Sequence, residues 1–322
     1  MVIALAIIVL AVAALYALGP RVSTDHTIDF DASAIGPDPE AYLAAEEARI
    51  ANIRPGLAKE IVWADPSKRA QTPLSFVYIH GFSASKGEVR PLPDMLASEL
   101  GANLFYTRLT GHGQDSAAMG EASVKAWMND TAEALAIGRM IGERVIVLAT
   151  STGGSLATIA AFELGQFENV AALVMLSSNF QVKAAGASLL TGPWGRQIAE
   201  LIVGKERGFE PSNDLVRQLW TTRYPTVATL PMAAAVKVAG EMPVERVGVP
   251  TLFIISDRDQ VVDAAATRTI AARWSKPADI IAVENSGDRS NHVNAGDAMS
   301  PDTTKPIADD ILQWLQQVGV TD

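Results

Sequence analysis

Apolar residues along this chain fall into three arrangements. The first is unbroken: "MVIALAIIVLAVAALYAL", Met1 to Leu18, contains no charged side chain. A helix over it would reach about 27 Å at 1.5 Å per residue, close to the thickness of a bilayer core. With no polar face it suits lipid better than a protein interior. The second arrangement is the short solid run between polar loops: "EIVWA", "LSFVYIH" (Leu74 to His80), "NLFYTRL", "RVIVLA", "VAALVMLS", "TLFIIS" and "DIIAVEN". Strands buried on both faces, as in a parallel sheet, need runs of this kind. The third is helical spacing, in "PLPDMLASELG", Val124 to Ile141, about Thr152 to Leu164, "ATRTIAARW", and a C-terminal helix with Ile307, Ile311, Leu312, Leu315 and Val318 on one face.

Strands that alternate with helices predict an α/β fold with a mainly parallel central sheet flanked by helices. Residues 179–246 break the alternation. They lie between two sheet strands and are too long for a simple connection, so they read as a helical cap inserted over one end of the sheet. Residues 20–57 read as a spacer carrying a surface helix, started by Asp38-Pro39 and ended before Pro55. The expected organisation is a transmembrane anchor over 1–19, the spacer over 20–57, and the α/β domain over 58–322.

The first segment has a rival reading as a cleaved signal peptide. That needs a basic start, an apolar run of about 7–15 residues and a small-x-small cut site. The chain starts without Lys or Arg, its run is longer, and a cut after Gly19 would put Pro20 beside the scissile bond. A retained membrane anchor over residues 1–18 is the expectation. Arg21 alone does not fix which side the domain faces.

Composition narrows the function. The chain has 322 residues, 48% hydrophobic and 19% charged, enough for a large core. Its net charge of −10 argues against nucleic acid as a partner. It has no cysteine, which excludes disulfides, thiolate metal sites and a cysteine nucleophile.

The chemistry centres on "ATSTGGS", directly after "RVIVL". It matches the G-x-S-x-G nucleophile elbow with Ala149 in place of the first glycine. A serine there sits on a sharp strand-to-helix turn, and its neighbours two positions away must be small. The bland alternative is a Ser/Thr/Gly loop that caps a helix. A serine hydroxyl needs a base. Of the four histidines only His292 follows Ser151, as the elbow's usual order of Ser, acid, His requires. The acid should stand in "SDRDQVVD": Asp259 is preferred, Asp257 is the reserve, and Asp263 reads as a helix cap. Oxyanion donors would be the main-chain N–H groups of Thr152, after the nucleophile, and Phe82, in "HGFSAS". His80 and His112 read as structural.

"IHGFSAS", "RLTGHG", "ATSTGG", "SDRDQVV" and "NHV", in that order over residues 74–293, resemble the α/β-hydrolase superfamily, above all its branch of monoacylglycerol lipases, lysophospholipases and carboxylesterases. The resemblance implies the α/β-hydrolase fold, with Ser151 as nucleophile, Asp259 as orienting acid, His292 as base, and Phe82 with Thr152 as oxyanion donors. It implies no metal and no organic cofactor. The expected reaction is two-step hydrolysis of an acyl ester or lipid, with Phe180, Leu189, Leu190, Trp194 and Trp220 of the cap as core or acyl contacts. An amidase or aminopeptidase of the same fold is an alternative, with Glu200, Glu206 or Glu210 available for a free amine. A non-catalytic binding protein of the same fold is another. Oligomeric state is not legible.

Overall fold

In the computed structural model, residues 2–163, 165–275 and 278–321 are described. Met1 and Leu164, which belong to the expected anchor and to the expected helix after Ser151, lie outside them. The solid apolar runs form strands β1 (Glu60–Val62), β2 (Thr72–Ile79), β3 (Asn103–Tyr106), β4 (Gly142–Thr150) and β5 (Val170–Leu176). A short hairpin, β6 (Glu206–Gly208) with β7 (Arg223–Pro225), stands apart, and β8 (Thr251–Ile255) and β9 (Ala278–Ala282) return to the main sheet. That sheet has seven strands in the order β1-β3-β2-β4-β5-β8-β9. Every pair in it is parallel except β1 with β3.

The ten α-helices among the described residues are α1 (Val2–Leu18), α2 (Pro39–Ala48), α3 (Leu92–Glu99), α4 (Val124–Ile141), α5 (Thr152–Ala160), α6 (Gly195–Val203), α7 (Asp214–Leu219), α8 (Thr229–Glu241), α9 (Ala264–Arg273) and α10 (Pro301–Gln317). The sheet separates two apolar cores because successive strand residues point to opposite faces. On β4, Val145, Val147 and Ala149 join Trp127, Ile137 and Leu156 of α4 and α5. Ile146 and Leu148 join Leu92 and Leu96 of α3 and Ile311 and Leu315 of α10. Each such fully buried aliphatic side chain contributes about 1.5–3 kcal/mol. The middle of the sheet is therefore a rigid base for whatever stands at the C-terminal ends of β2, β4, β5 and β8.

The expected transmembrane anchor is overturned. Among the described residues no helix is long and apolar enough to cross a membrane. α1 runs for 17 residues, about 25 Å, against roughly 30 Å of hydrocarbon. Gly19-Pro20 stops it, and Arg21 turns back onto the carbonyls of Tyr16, Ala17 and Gly19 at 3.0, 3.4 and 3.2 Å. The end of the helix also engages the chain's own residues: Trp194 donates from Nε1 to Leu15 O at 3.0 Å and from its main-chain N–H to Pro20 O at 2.8 Å. The localisation expected from residues 1–18 falls with the anchor.

Residues 20–57 lie against the α/β domain. Asp38 caps α2, accepting from the Glu40 and Ala41 N–H groups. Tyr42 donates to Glu133 at 2.8 Å, and Glu47 pairs with the buried Arg108 at 2.7 Å.

Candidate active site

β4 ends at Thr150 and the chain turns at Ser151 into α5. The turn holds Ser151 at φ 51° and ψ −116°, a conformation that costs of order 1–3 kcal/mol and persists only when its surroundings impose it. They do so here. Ser151 N–H donates to Leu176 O at 2.9 Å, and Ser151 O accepts from Gly154 and Asn179, both at 3.0 Å. A Cβ at Gly153 would lie 2.2 Å from the Ile79 carbonyl oxygen, so only glycine fits. Ala149 is buried in register between Ile79 of β2 and Met175 of β5, and its methyl group fits where the motif's first glycine stands.

Ser151 Oγ lies 3.1 Å from His292 Nε2, and His292 Nδ1 lies 2.8 Å from Asp259 Oδ2. An ionised carboxylate can only accept, so the proton sits on Nδ1 and leaves Nε2 to accept from the serine hydroxyl. The second oxygen of Asp259 accepts from the Val261 and Val262 N–H groups at 2.7 and 2.9 Å, which fixes the carboxylate's rotation. Ser151, Asp259 and His292 are 5%, 1% and 9% exposed. Burial pulls the imidazole's pKa down, but the hydrogen bond and charge of Asp259, with the charges of Glu88 and Asp288 behind it, reverse that, and His292 lies above the ordinary histidine value.

The other sequence candidates are placed as follows. Asp257 is in a surface pair with Arg268, at 2.8 and 3.0 Å, which holds its carboxyl below the usual range. Asp263 caps α9 by accepting from Ala265 N–H at 3.0 Å. Among the described residues the main-chain N–H groups of Phe82 and Thr152 have no acceptor, whereas those beside Phe82 do: Gly81 donates to Glu88 and Ser83 to His112. His80 donates from Nδ1 to Gly81 O at 2.9 Å and accepts from Leu109 N–H at 3.1 Å. His112 donates to Thr110 O at 3.2 Å and accepts from Ser83 N–H at 3.0 Å. Burial pushes His80 down to about 4 and His112 well below the ordinary value, so both are neutral braces of the Gly81–Ser83 loop.

Three residues here were not singled out in the sequence. Asp288 accepts from the main-chain N–H groups of His292 and Val293 at 2.9 and 3.0 Å and so shapes the loop that carries the imidazole. Its signal was faint: an aspartate four positions ahead of the histidine, in "DRSNH". Glu88 accepts from Gly81 N–H at 2.7 Å and Tyr78 Oη at 2.9 Å. Arg54 donates to the carbonyls of Gln218 and Trp220 at 3.0 and 3.1 Å, at the end of α7. No spacing rule pointed to either.

Residues 76–300 match the sequence family described as the alpha/beta hydrolase family. The chain belongs to that family. One relative is the thermostable monoacylglycerol lipase of Bacillus sp. (strain H-257), 23% identical over 199 residues, which span 62% of this chain and 76% of the lipase. The structure of one of LipS and LipT, two metagenome-derived lipolytic enzymes, superposes with a TM-score of 0.67 at 22% identity, covering 83% of this chain and all of that one. A soluble variant of monoglyceride lipase from Saccharomyces cerevisiae superposes with a TM-score of 0.61 at 12% identity, covering 82% and 92%. The structural likenesses show the α/β-hydrolase fold. The relatives are monoacylglycerol lipases and esterases, and the chain is a hydrolase of the carboxylesterase and lipase type.

In this family member the stretch between β5 and β8 reaches back to the loop after β2. Thr221 N–H donates to Ser83 O at 2.7 Å, and the Tyr224 ring meets Phe82 edge-on at 5.1 Å between centroids. Phe180 and Trp220 are buried in the two cores, whereas Leu189 and Trp194 are 48% and 38% exposed.

Proposed function

We propose that this chain is a serine hydrolase that cleaves carboxylic esters, with lipid-like acyl chains preferred, through Ser151, His292 and Asp259. The hydrogen-bonded path from Ser151 Oγ through His292 to Asp259 carries the reading. His292 Nε2 takes the Ser151 proton as Oγ bonds to the ester carbonyl carbon. The carbonyl oxygen becomes an oxyanion, which the free Phe82 and Thr152 N–H groups bind. Asp259 stabilises the imidazolium without taking its proton. The C–O bond to the alcohol then breaks, and His292 returns its proton to the leaving alkoxide. Water, deprotonated by His292, attacks the acyl-serine carbonyl carbon; the C–Oγ bond then breaks as His292 returns that proton to Ser151 Oγ, and the acid leaves. A lost oxyanion donor typically raises such a barrier by about 3–4 kcal/mol. We read residues 179–246 as the cap that shapes the acyl pocket.

The acidic cap residues do not favour the amine-recognising alternative: Glu200 is paired with Arg196 at 2.9 Å, and Glu206 and Glu210 are exposed. The test combines a fluorophosphonate probe with nitrophenyl esters of increasing chain length and matched anilides. Expected are a phosphonate adduct on Ser151 and ester turnover that rises with chain length. An unlabelled protein, or one that cleaves anilides in preference to esters, would defeat the proposal.

The pH dependence follows from His292. Only its neutral form accepts the serine proton, and its pKa is raised above 6.5. The base is therefore intact above that raised value and lost as pH falls through it. We expect the acidic limb of kcat/KM to lie on the alkaline side of pH 6.5; a limb in the carboxylic-acid range would mean another group limits the rate.

A further inference from the structure

A third carboxylate stands at the reaction centre, on a different loop from Asp259 and Asp288. Glu88, in the loop that follows β2, is 2% exposed. Its Oε2 accepts from Gly81 N–H at 2.7 Å and from the Tyr78 hydroxyl at 2.9 Å, and Tyr78 Oη is also 3.1 Å from Thr150 Oγ1, next to the nucleophile. The point where a Gly81 side chain would begin is 2.8 Å from Glu88 Oε1 and 3.2 Å from Ser151 Cβ. The carboxylate thus lies beside the nucleophile, beneath the loop that presents the Phe82 N–H.

We propose, on the reading of Ser151 and His292 given above, that Glu88 is a positioning residue of the hydrolytic site: it pins Gly81 so that the next N–H faces the oxyanion, and its charge keeps His292 an effective base. No lysine or arginine among the described residues pairs with it. Lys86 is turned to Glu60 at 2.6 Å, and Arg90 to Asp94 and Glu60 at 2.8 and 3.1 Å. Burial, as the leading effect, raises the carboxyl's pKa, and the Gly81 and Tyr78 donors and the His292 charge oppose it. The charged groups that face His292 are Asp259 from the loop after β8, Asp288 from its own loop, and Glu88 from the loop after β2. On the Asp259 side, Lys183 bonds the Asp259 carbonyl at 2.7 Å, and Arg258 is turned to Asn285. His80 and His112, from the two loops around Phe82, are neutral. A buried negative charge favours the imidazolium that forms at each proton transfer.

The test uses the full chain with Glu88→Gln, whose amide oxygen can keep both hydrogen bonds while the charge is removed. The expected result is kcat lower by about tenfold, KM within about twofold, and an acidic limb of kcat/KM displaced to lower pH, because a charge that raised the imidazole pKa is gone. A Glu88→Gln profile that superimposes on the parent, or moves to higher pH, overturns the proposal. If Glu88→Gln does not fold, Tyr78→Phe carries the same test. It withdraws one donor, leaves Glu88 less readily ionised, and should move the limb in the same direction by less; an unmoved limb again overturns the proposal. Ser151→Ala, assayed in parallel, separates the two layers. A dead Ser151→Ala beside a parent-like Glu88→Gln rejects the role of Glu88 alone, whereas an active Ser151→Ala rejects the serine mechanism itself.

Discussion

Ser151→Ala is expected to reduce kcat on an ester by about 10⁶-fold while leaving the protein folded. Losses of that size follow removal of a serine nucleophile, and the remaining acceleration comes from oxyanion binding and substrate orientation. The substitution deletes only Oγ. The Cβ stays, so the contacts around Gly81 are kept, and the φ of 51° is imposed by the Leu176, Gly154 and Asn179 hydrogen bonds to the main chain, which no side chain supplies. A small change of stability, about 1 kcal/mol from the hydrogen bond to His292 that is lost, is therefore expected. The measurement is single-turnover and steady-state hydrolysis with a melting curve on the same sample. Activity within a hundredfold of the parent, with an unaltered melting curve, would show that another group attacks the ester.

Asp259→Asn has the second largest expected effect, about 10⁴-fold in kcat. The reason lies in which oxygen is already committed. Val261 and Val262 N–H both point at Oδ1, so the asparagine carbonyl oxygen will take that place and its NH₂ will face His292 Nδ1. Two donors cannot face each other, so Nδ1 must become the acceptor and the proton moves to Nε2. The ring then presents N–H to the Ser151 hydroxyl and cannot accept its proton. The acidic limb should also fall to lower pH, because the carboxylate that does most to raise the imidazole is lost. Asp257→Asn is the matched comparison: its carboxylate serves an exposed pair with Arg268, and the activity should stay within a few-fold. Equal losses in the two variants would mean that the orienting acid is misassigned.

The α/β layering was legible in the sequence because each central strand is an unbroken apolar run of strand length, and only burial on both faces demands that. The order of Ser151, the aspartates and His292 was legible too, since chain order survives without knowledge of distances. Choosing among Asp257, Asp259 and Asp263 was harder. All three sit within seven residues in one loop; Asp257 and Asp263 are held by the adjoining helix α9, through Arg268 and its first turn, and only Asp259 meets a partner from a distant loop, His292. Glu88 was invisible for a related reason. A glutamate in "FSASKGEV" looks like a solvated charge, and nothing in its neighbours announces that Gly81 and Tyr78 enclose it. The first segment misled because hydropathy registers composition and not where a helix stops. Gly19-Pro20, the return of Arg21 onto the last carbonyls, and Trp194 some 180 positions later decide its length.

Arg54 gives the region ahead of the sheet a mechanical part. Its guanidinium ties the carbonyls of Gln218 and Trp220, and its main-chain N–H donates to Gly113 O at 2.8 Å, so one residue cross-links the stretch between β5 and β8 to the loop after β3. One residue past Trp220, Thr221 hangs on Ser83. A fragment trimmed to begin at residue 58, the boundary that strand patterning suggests, would retain Ser151, Asp259 and His292 yet lose this strut. The stretch between β5 and β8 is thus bolted down from upstream, and the upstream segment belongs to the machine.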